Sequence, residues 1–174
     1  LGLVSAKDFI VDPSEFDPDR VIADLAEIRR HNPQRFEMEQ LSGVLFEDLQ
    51  GVRCAGFKDI THEEFWVRGH MPGMPLMPGV IMLEAVAQLC SYFAHRYDLL
   101  GPGVMVGFGG LDEVRFRDVV IPGDRLIVMC RMSKVRPGRM IVCDFQGVVR
   151  QSLVVEGILR GIPIPVSSLQ PSAS

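Results

Sequence analysis

The chain has 174 residues, 47% hydrophobic and 23% charged, which are ordinary proportions for a globular protein with one sizeable core. A formal net charge of −4 argues against general affinity for nucleic acid or an anionic membrane surface, while leaving room for a local basic patch. Four scattered cysteines (Cys54, Cys90, Cys130, Cys143) sit in apolar runs without a C-x-x-C pair. Buried free thiols are therefore expected, with no disulfide frame and no metal site. Together with a start, Leu1-Gly2-Leu3-Val4, that has no charged n-region, this gives the expectation of a cytoplasmic protein.

Taken in order, residues 1–16 show no sustained period. Asp17-Pro18-Asp19 has the form of a helix start, with Val21, Ile22, Leu25 and Ile28 at helical spacing, so a short amphipathic helix is expected over Asp19–Arg30. Asn32-Pro33 ends it. The period then shortens. Residues 43–49 and 51–57 have the composition of strands, and Phe65-Trp66-Val67 forms a third short extended piece.

Next comes Gly69-His70-Met71-Pro72-Gly73-Met74-Pro75-Leu76-Met77-Pro78-Gly79, three prolines and three glycines around one histidine. Proline fixes φ and glycine permits unusual φ, so their alternation specifies a loop of defined shape. The loop leads into a helix expected from Gly79 to about Tyr97, apolar nearly all round and hence enclosed. It is not a membrane span: the apolar run 80–93 is interrupted by Glu84, Gln88 and Ser91, and spanning needs about 20 apolar residues. Glu84, Gln88, Ser91 and His95 fall on one stripe, which faces solvent or a partner subunit unless it belongs to a site.

Beyond Gly101-Pro102-Gly103 the chain becomes strands: 104–108, 114–120, 125–135, 140–150 and 153–162, with Arg136-Pro137-Gly138-Arg139 as a tight turn. In 140–150 Ile141, Cys143, Phe145 and Val149 alternate with Asp144, Gln146 and Arg150, the pattern of an antiparallel sheet with one covered face. Pro163, Pro165 and the Ser-rich end are expected to stop the last strand and leave a mobile tail. One enclosed helix and a sheet with one apolar face pack most economically with the sheet wrapped around the helix. The reading is thus a single α+β domain over 1–174: an extension with a short helix (1–30), a core (31–163) and a tail (164–174). Gly107-x-Gly109 lacks the strand–turn–helix setting of a phosphate-binding loop.

The run His70-x-Pro72-Gly73-x-Pro75-x-x-Pro78-Gly79, with Glu84 and Gln88 in the helix, resembles the signature of the FabZ-type (3R)-hydroxyacyl-[acyl-carrier-protein] dehydratases. A second block, Gly110-Leu111-Asp112-Glu113-Val114-Arg115-Phe116 followed by Val120-Ile121-Pro122-Gly123-Asp124, is similar to the family's strand and turn. The similarity runs from about Pro33 to Arg160. It departs at Met71, where the family commonly has phenylalanine, and at Pro33-Gln34-Arg35-Phe36, a weak version of Pro-His-Arg-Tyr. The resemblance implies the hotdog fold, a curved antiparallel sheet around one long central helix.

It also implies the chemistry of removing water from a 3-hydroxyacyl thioester. His70 would take the C2 proton, since imidazole can act as a base near neutral pH. Glu84 would protonate the departing hydroxyl, its apolar surroundings raising its pKa. The uncapped helix start at Pro78-Gly79 leaves the Gly79 amide for the thioester oxygen, at the positive end of the helix dipole. Gln88 would orient the carboxylate or a water, and Met71 would shape the substrate tunnel. No cofactor is implied.

The implied partners are an acidic acyl-carrier protein and a second copy of the chain, with His70 and Glu84 of one site on different subunits. A hexamer of three dimers stays open. Docking of the carrier points to Arg115 and Arg117, or to Lys134, Arg136 and Arg139 around the Pro137-Gly138 turn, which serve equally well as a charged sheet edge. Two other readings remain beside the dehydratase: an acyl thioesterase on the same fold, and a dehydratase-like subunit that binds acyl chains without turnover.

Overall fold

A computed structural model describes residues 9–169. Two helices, α1 (Leu25–His31) and α2 (Gly79–Arg96), accompany six strands: β1 (Gly43–Asp48), β2 (Arg53–Asp59), β3 (Val104–Phe116), β4 (Arg125–Arg136), β5 (Met140–Val149) and β6 (Ser152–Pro165). The strands form one antiparallel sheet in the order β1-β2-β4-β5-β6-β3. Leu126, Val128, Cys130 and Met132 of β4 and Ile141, Cys143 and Phe145 of β5 pack in one core with Val86, Leu89, Cys90 and Phe93 of α2. This is the hotdog fold.

The period of two along each strand decides what α2 meets. On β2 and β4, Cys54 and Cys130 join the helix-side core, while their neighbours Ala55 and Met129 belong to a second cluster. That cluster is covered by the N-terminal segment through Ile10 and Val11. Arg53 fastens the segment down, with its guanidinium on both Glu15 carboxylate oxygens (3.0 Å each), on Asp48 (2.9 Å) and on the Ile10 carbonyl. A strap thus protects the outer face of the sheet. All four cysteines are buried and free. Among the described residues no helix is long and apolar enough to cross a membrane.

Helix α2 lies so close to the sheet that a Cβ on Gly56 would come within 3.0 Å of both the Gly43 carbonyl oxygen and the Leu89 side chain. Its last turns are held by Glu47, whose carboxylate accepts from Tyr92 and Tyr97 hydroxyls at 2.8 Å each and from Arg96. The polar stripe is turned partly inward, with Gln88 and Ser91 buried and Glu84 and His95 half-buried. Gln88 and His95 lie against residues 31–40, where the His95 Nδ1–H donates to the His31 carbonyl at 2.8 Å and the Asn32 amide donates to the Gln88 carbonyl at 2.8 Å.

Four expectations from the sequence need correction. The first helix begins at Leu25, capped by Asp24, whose side chain accepts from Glu27 N at 2.9 Å. Residues 21–23 lie extended against β1, with Ile22 N donating to Val44 O and Val44 N to Ala23 O. Main-chain pairing with a strand outweighs the helical spacing of Val21 and Ile22. Residues 65–67 are a turn and not a strand, because the Trp66 carbonyl collects the N–H groups of Gly69 and His70.

The expected strands 104–108 and 114–120 are one strand, β3, which crosses its glycines with register shifts at Phe108/Gly110 and Asp112/Arg115 and ends at Phe116. Strand β6 passes through Pro163 to Pro165. Pairing with β5 ends at Gly161, so Pro163 pairs only with β3 and its missing N–H costs no ladder bond. Val166–Leu169 then form a 3₁₀ turn, and residues 1–8 and 170–174, with the rest of the expected tail, lie outside the described residues.

Candidate active site

The proline-glycine loop is tied at every turn. His70 N donates to Trp66 O at 2.8 Å, Leu76 N donates to His70 O at 2.9 Å, and Met71 and Met74 exchange two main-chain bonds around Gly73. Gly73 has φ +79°, which suits glycine, and Met77 N fixes the loop's exit on the Val120 carbonyl at 2.7 Å. The Met77 side chain is buried, so the loop is anchored immediately before α2 begins.

Within this frame the imidazole has one orientation. His70 Nδ1 lies 2.8 Å from the Leu76 carbonyl oxygen. A carbonyl only accepts, so Nδ1 carries the proton and Nε2 presents its lone pair. The His70 carbonyl and the His70 ring are both bound to Leu76, which removes the freedom that a loop histidine usually has.

Helix α2 starts at Gly79 after Pro78, whose carbonyl accepts from Ile81 N (2.9 Å) and Met82 N (3.3 Å). Pro78 supplies no side-chain cap, so the amides of Gly79 and Val80 have no intrahelical acceptor and stand at the positive end of the dipole. The Phe116 ring comes within 2.7 Å of where a Gly79 Cβ would sit. Close approach at this glycine is therefore already used by an aromatic side chain of β3.

Further along the helix, Gln88 Nε2 donates to Glu84 Oε1 at 2.7 Å and to the Met38 carbonyl at 2.6 Å, while Gln88 Oε1 accepts from Gln40 N at 2.9 Å. Both main-chain contacts fix which end of the amide carries the protons. The Glu84 carboxylate is thus held from one side by a buried, fully engaged amide. Among the described residues no hydrogen bond joins His70 to Glu84. Each is positioned by its own neighbours in the chain.

Around both lies an apolar rim: Met71 is 48% exposed, Met74 68% and Val80 70%. Of the residues singled out for carrier docking, Arg117 is already engaged by Glu156, whereas Lys134, Arg136 and Arg139 are exposed around the β4–β5 turn. Sequence reasoning missed Trp66, Leu76, Met38 and Gln40, which act here through main-chain atoms and leave no side-chain signature. It also missed Phe116, although that residue lies inside the second matching block.

The FabA-like domain family matches residues 32–158 of this chain. Over 136 residues the chain is 35% identical to the 3-hydroxyacyl-[acyl-carrier-protein] dehydratase FabZ of Syntrophobacter fumaroxidans, covering 78% of this chain and 90% of that one. Over 118 residues it is 36% identical to FabZ of a Shewanella species, covering 66% and 76%. Among solved structures it is similar to the dehydratase heterocomplex ApeI:P from Xenorhabdus doucetiae, with a TM-score of 0.69 and 14% identity over 86% of this chain and 96% of that one. It is also similar to the fluoroacetyl-CoA thioesterase FlK, with a TM-score of 0.58 and 15% identity over 68% and 90%. At these identities the structures speak for the fold, and the sequence relatives for the family. The chain belongs to the FabA-like family of hotdog-fold dehydratases.

Proposed function

We propose that this chain converts (3R)-3-hydroxyacyl thioesters carried on an acyl-carrier protein into trans-2-enoyl thioesters and water. His70 Nε2 takes the C2 proton, and Glu84 delivers a proton to the departing C3 hydroxyl. The Gly79 amide bonds the thioester oxygen as charge develops there, an interaction that gains strength in the transition state. Gln88 is a positioning residue that aims Glu84, and Met71 and Pro78 line the acyl path. The observation that carries the reading is the His70 ring pinned on Leu76, which leaves one nitrogen free as a base.

The working unit in this reading is a dimer, with His70 of one subunit facing Glu84 of the other. Support comes from β3, a 13-residue edge strand whose Phe108 (49% exposed), Leu111 (38%) and Phe116 (52%) are open. A long apolar edge of this kind normally pairs with another chain. Pairing two such edges would continue the sheet across a two-fold axis and bring the two apolar rims together.

A single assay tests the activity. The protein is given a 3-hydroxyacyl thioester, and enoyl absorbance and free thiol are followed together. Enoyl formation without thiol is expected. Thiol without enoyl would identify a thioesterase, and neither product would identify a non-catalytic acyl-binding subunit.

A further inference from the structure

One loop grips Gln88 twice. Before Arg35, the Asn32 side-chain amide donates to the Gln88 carbonyl at 2.8 Å. After it, the Met38 carbonyl and the Gln40 N–H close on the Gln88 side-chain amide at 2.6 and 2.9 Å. That amide in turn donates to Glu84. The direction of the Glu84 carboxylate therefore depends on the shape of residues 32–40.

Regular secondary structure does not supply that shape. Helix α1 ends at His31, and the N–H that would meet the Arg29 carbonyl one turn on belongs to position 33, a proline without one. The Arg35 guanidinium takes its place, with Nη2 donating to Arg29 O at 3.1 Å. Its Nη1 donates to Asn32 O at 2.8 Å and to Gln34 O at 2.6 Å, so one planar fork closes three carbonyls. The Arg35 carbonyl accepts from Met38 N at 3.2 Å and opens the 3₁₀ turn Phe36–Met38. Arg35 thus joins the half of the loop that holds the Gln88 main chain to the half that holds its side chain. Glu39 is held separately, chiefly by the bidentate Arg29, with Arg35 and Lys58 attracting it from farther off.

The second observation is Phe36. Its φ is +58°, left-handed for a bulky side chain, and the residue is 84% exposed. A ring so open contributes little packing to hold its own backbone there. The hydrogen bonds on either side hold it, and strain over-determined in this way collects where a functional group has to be aimed.

We propose that Arg35 is a positioning residue for Glu84. Its guanidinium staples the 32–40 segment into the one shape that places the Met38 carbonyl and the Gln40 amide on Gln88, and so aims the acid. The inference rests on the dehydratase reading, in which Glu84 delivers the proton.

The full chain carrying Arg35→Met, at an exposed position, tests this by two readings independent of each other. Amide hydrogen exchange at Gln40, whose N–H meets Gln88 Oε1, is expected to quicken about tenfold or more while the β4 amides exchange as in the parent. In steady-state turnover of a 3-hydroxyacyl thioester, kcat is expected to fall about tenfold with KM unchanged, since Arg35 steers the acid and does not hold substrate. Adding Phe36→Gly is expected to restore much of both, because glycine takes the left-handed turn without the staple. Phe36→Gly alone is expected to turn over like the parent. Unchanged exchange at Gln40, a loss carried by KM, or a double variant no better than Arg35→Met would overturn the proposal. A parent that forms no enoyl product would overturn the dehydratase reading instead, and exchange at Gln40 would then decide the staple alone.

Discussion

His70 Nδ1 and the Leu76 carbonyl oxygen are 2.8 Å apart, although the two residues lie six positions apart on a loop that returns on itself. The contact sets the tautomer of the imidazole and so decides which nitrogen is available for chemistry. Because the acceptor is main chain, no substitution at position 76 removes it directly. The loop's prolines and its anchorage on Val120 maintain it.

Gln88 holds Glu84 through a hydrogen bond that is itself braced by Met38 and Gln40. Gln88→Leu leaves the buried Gln40 N–H unpaired and takes the partner from the part-buried Met38 carbonyl, at a cost of about 1–3 kcal/mol in unfolding free energy. Turnover is expected to fall about tenfold or more with little change in KM, because the residue aims the acid and does not hold substrate. Denaturant titration and steady-state kinetics measure the two effects separately. An unchanged kcat would remove the positioning role.

At Gly79 two explanations predict different double-variant behaviour. If the glycine is needed because Phe116 packs on it, Gly79→Ala impairs turnover by displacing the ring, and adding Phe116→Ala restores much of the loss. If the glycine instead admits the thioester directly, the second substitution restores nothing. The observed ring contact predicts restoration, read from kcat of the two single variants and the double.

Acid should loosen the strap over the outer face. Glu15 is held below the ordinary carboxylate range chiefly by Arg53, and Asp48 by the Gly51 N–H and then Arg53. Both groups bind protons more weakly in the folded than in the unfolded chain. Their stabilisation is therefore present above about pH 4.5 and lost as pH falls through the lower folded values. Hydrogen exchange at Ile10, whose N–H donates to Gln146, is expected to quicken relative to its intrinsic rate below that pH. Arg53→Met should quicken it already at neutral pH. Exchange indifferent to both changes would mean that the apolar contacts of Ile10 and Val11 hold the strap alone.

Mixing His70→Ala chains with Glu84→Gln chains tests whether a site is shared between subunits. Random re-pairing makes half the dimers mixed, and each mixed dimer rebuilds one of its two sites. Recovery of roughly a quarter of wild-type activity is expected. Sites contained within single chains would show no recovery, because every one of them would carry a lesion.

Most of α2 was legible because its signals agree: a proline-glycine start, a long apolar run and a polar stripe at helical spacing. The long strand β5 was legible through its alternation, which follows directly from the sheet's two faces. Residues 21–23 and 65–67 were misread because their structure depends on distant main-chain partners, Val44 for the first and the folded loop for the second. His70, Glu84 and Gln88 were singled out by the motif that carries the family resemblance. The carbonyls of Leu76 and Met38 that hold two of them belong to any residue, so nothing in the side chains marks them.

The central claim is that His70 is the base of a dehydration, and enoyl formation by His70→Ala tests it most directly. The account predicts a loss of about 10²–10⁴-fold in the rate of enoyl absorbance from a 3-hydroxyacyl thioester, with the melting temperature and the dimer retained. A His70→Ala variant that forms enoyl product at near wild-type rate would contradict it.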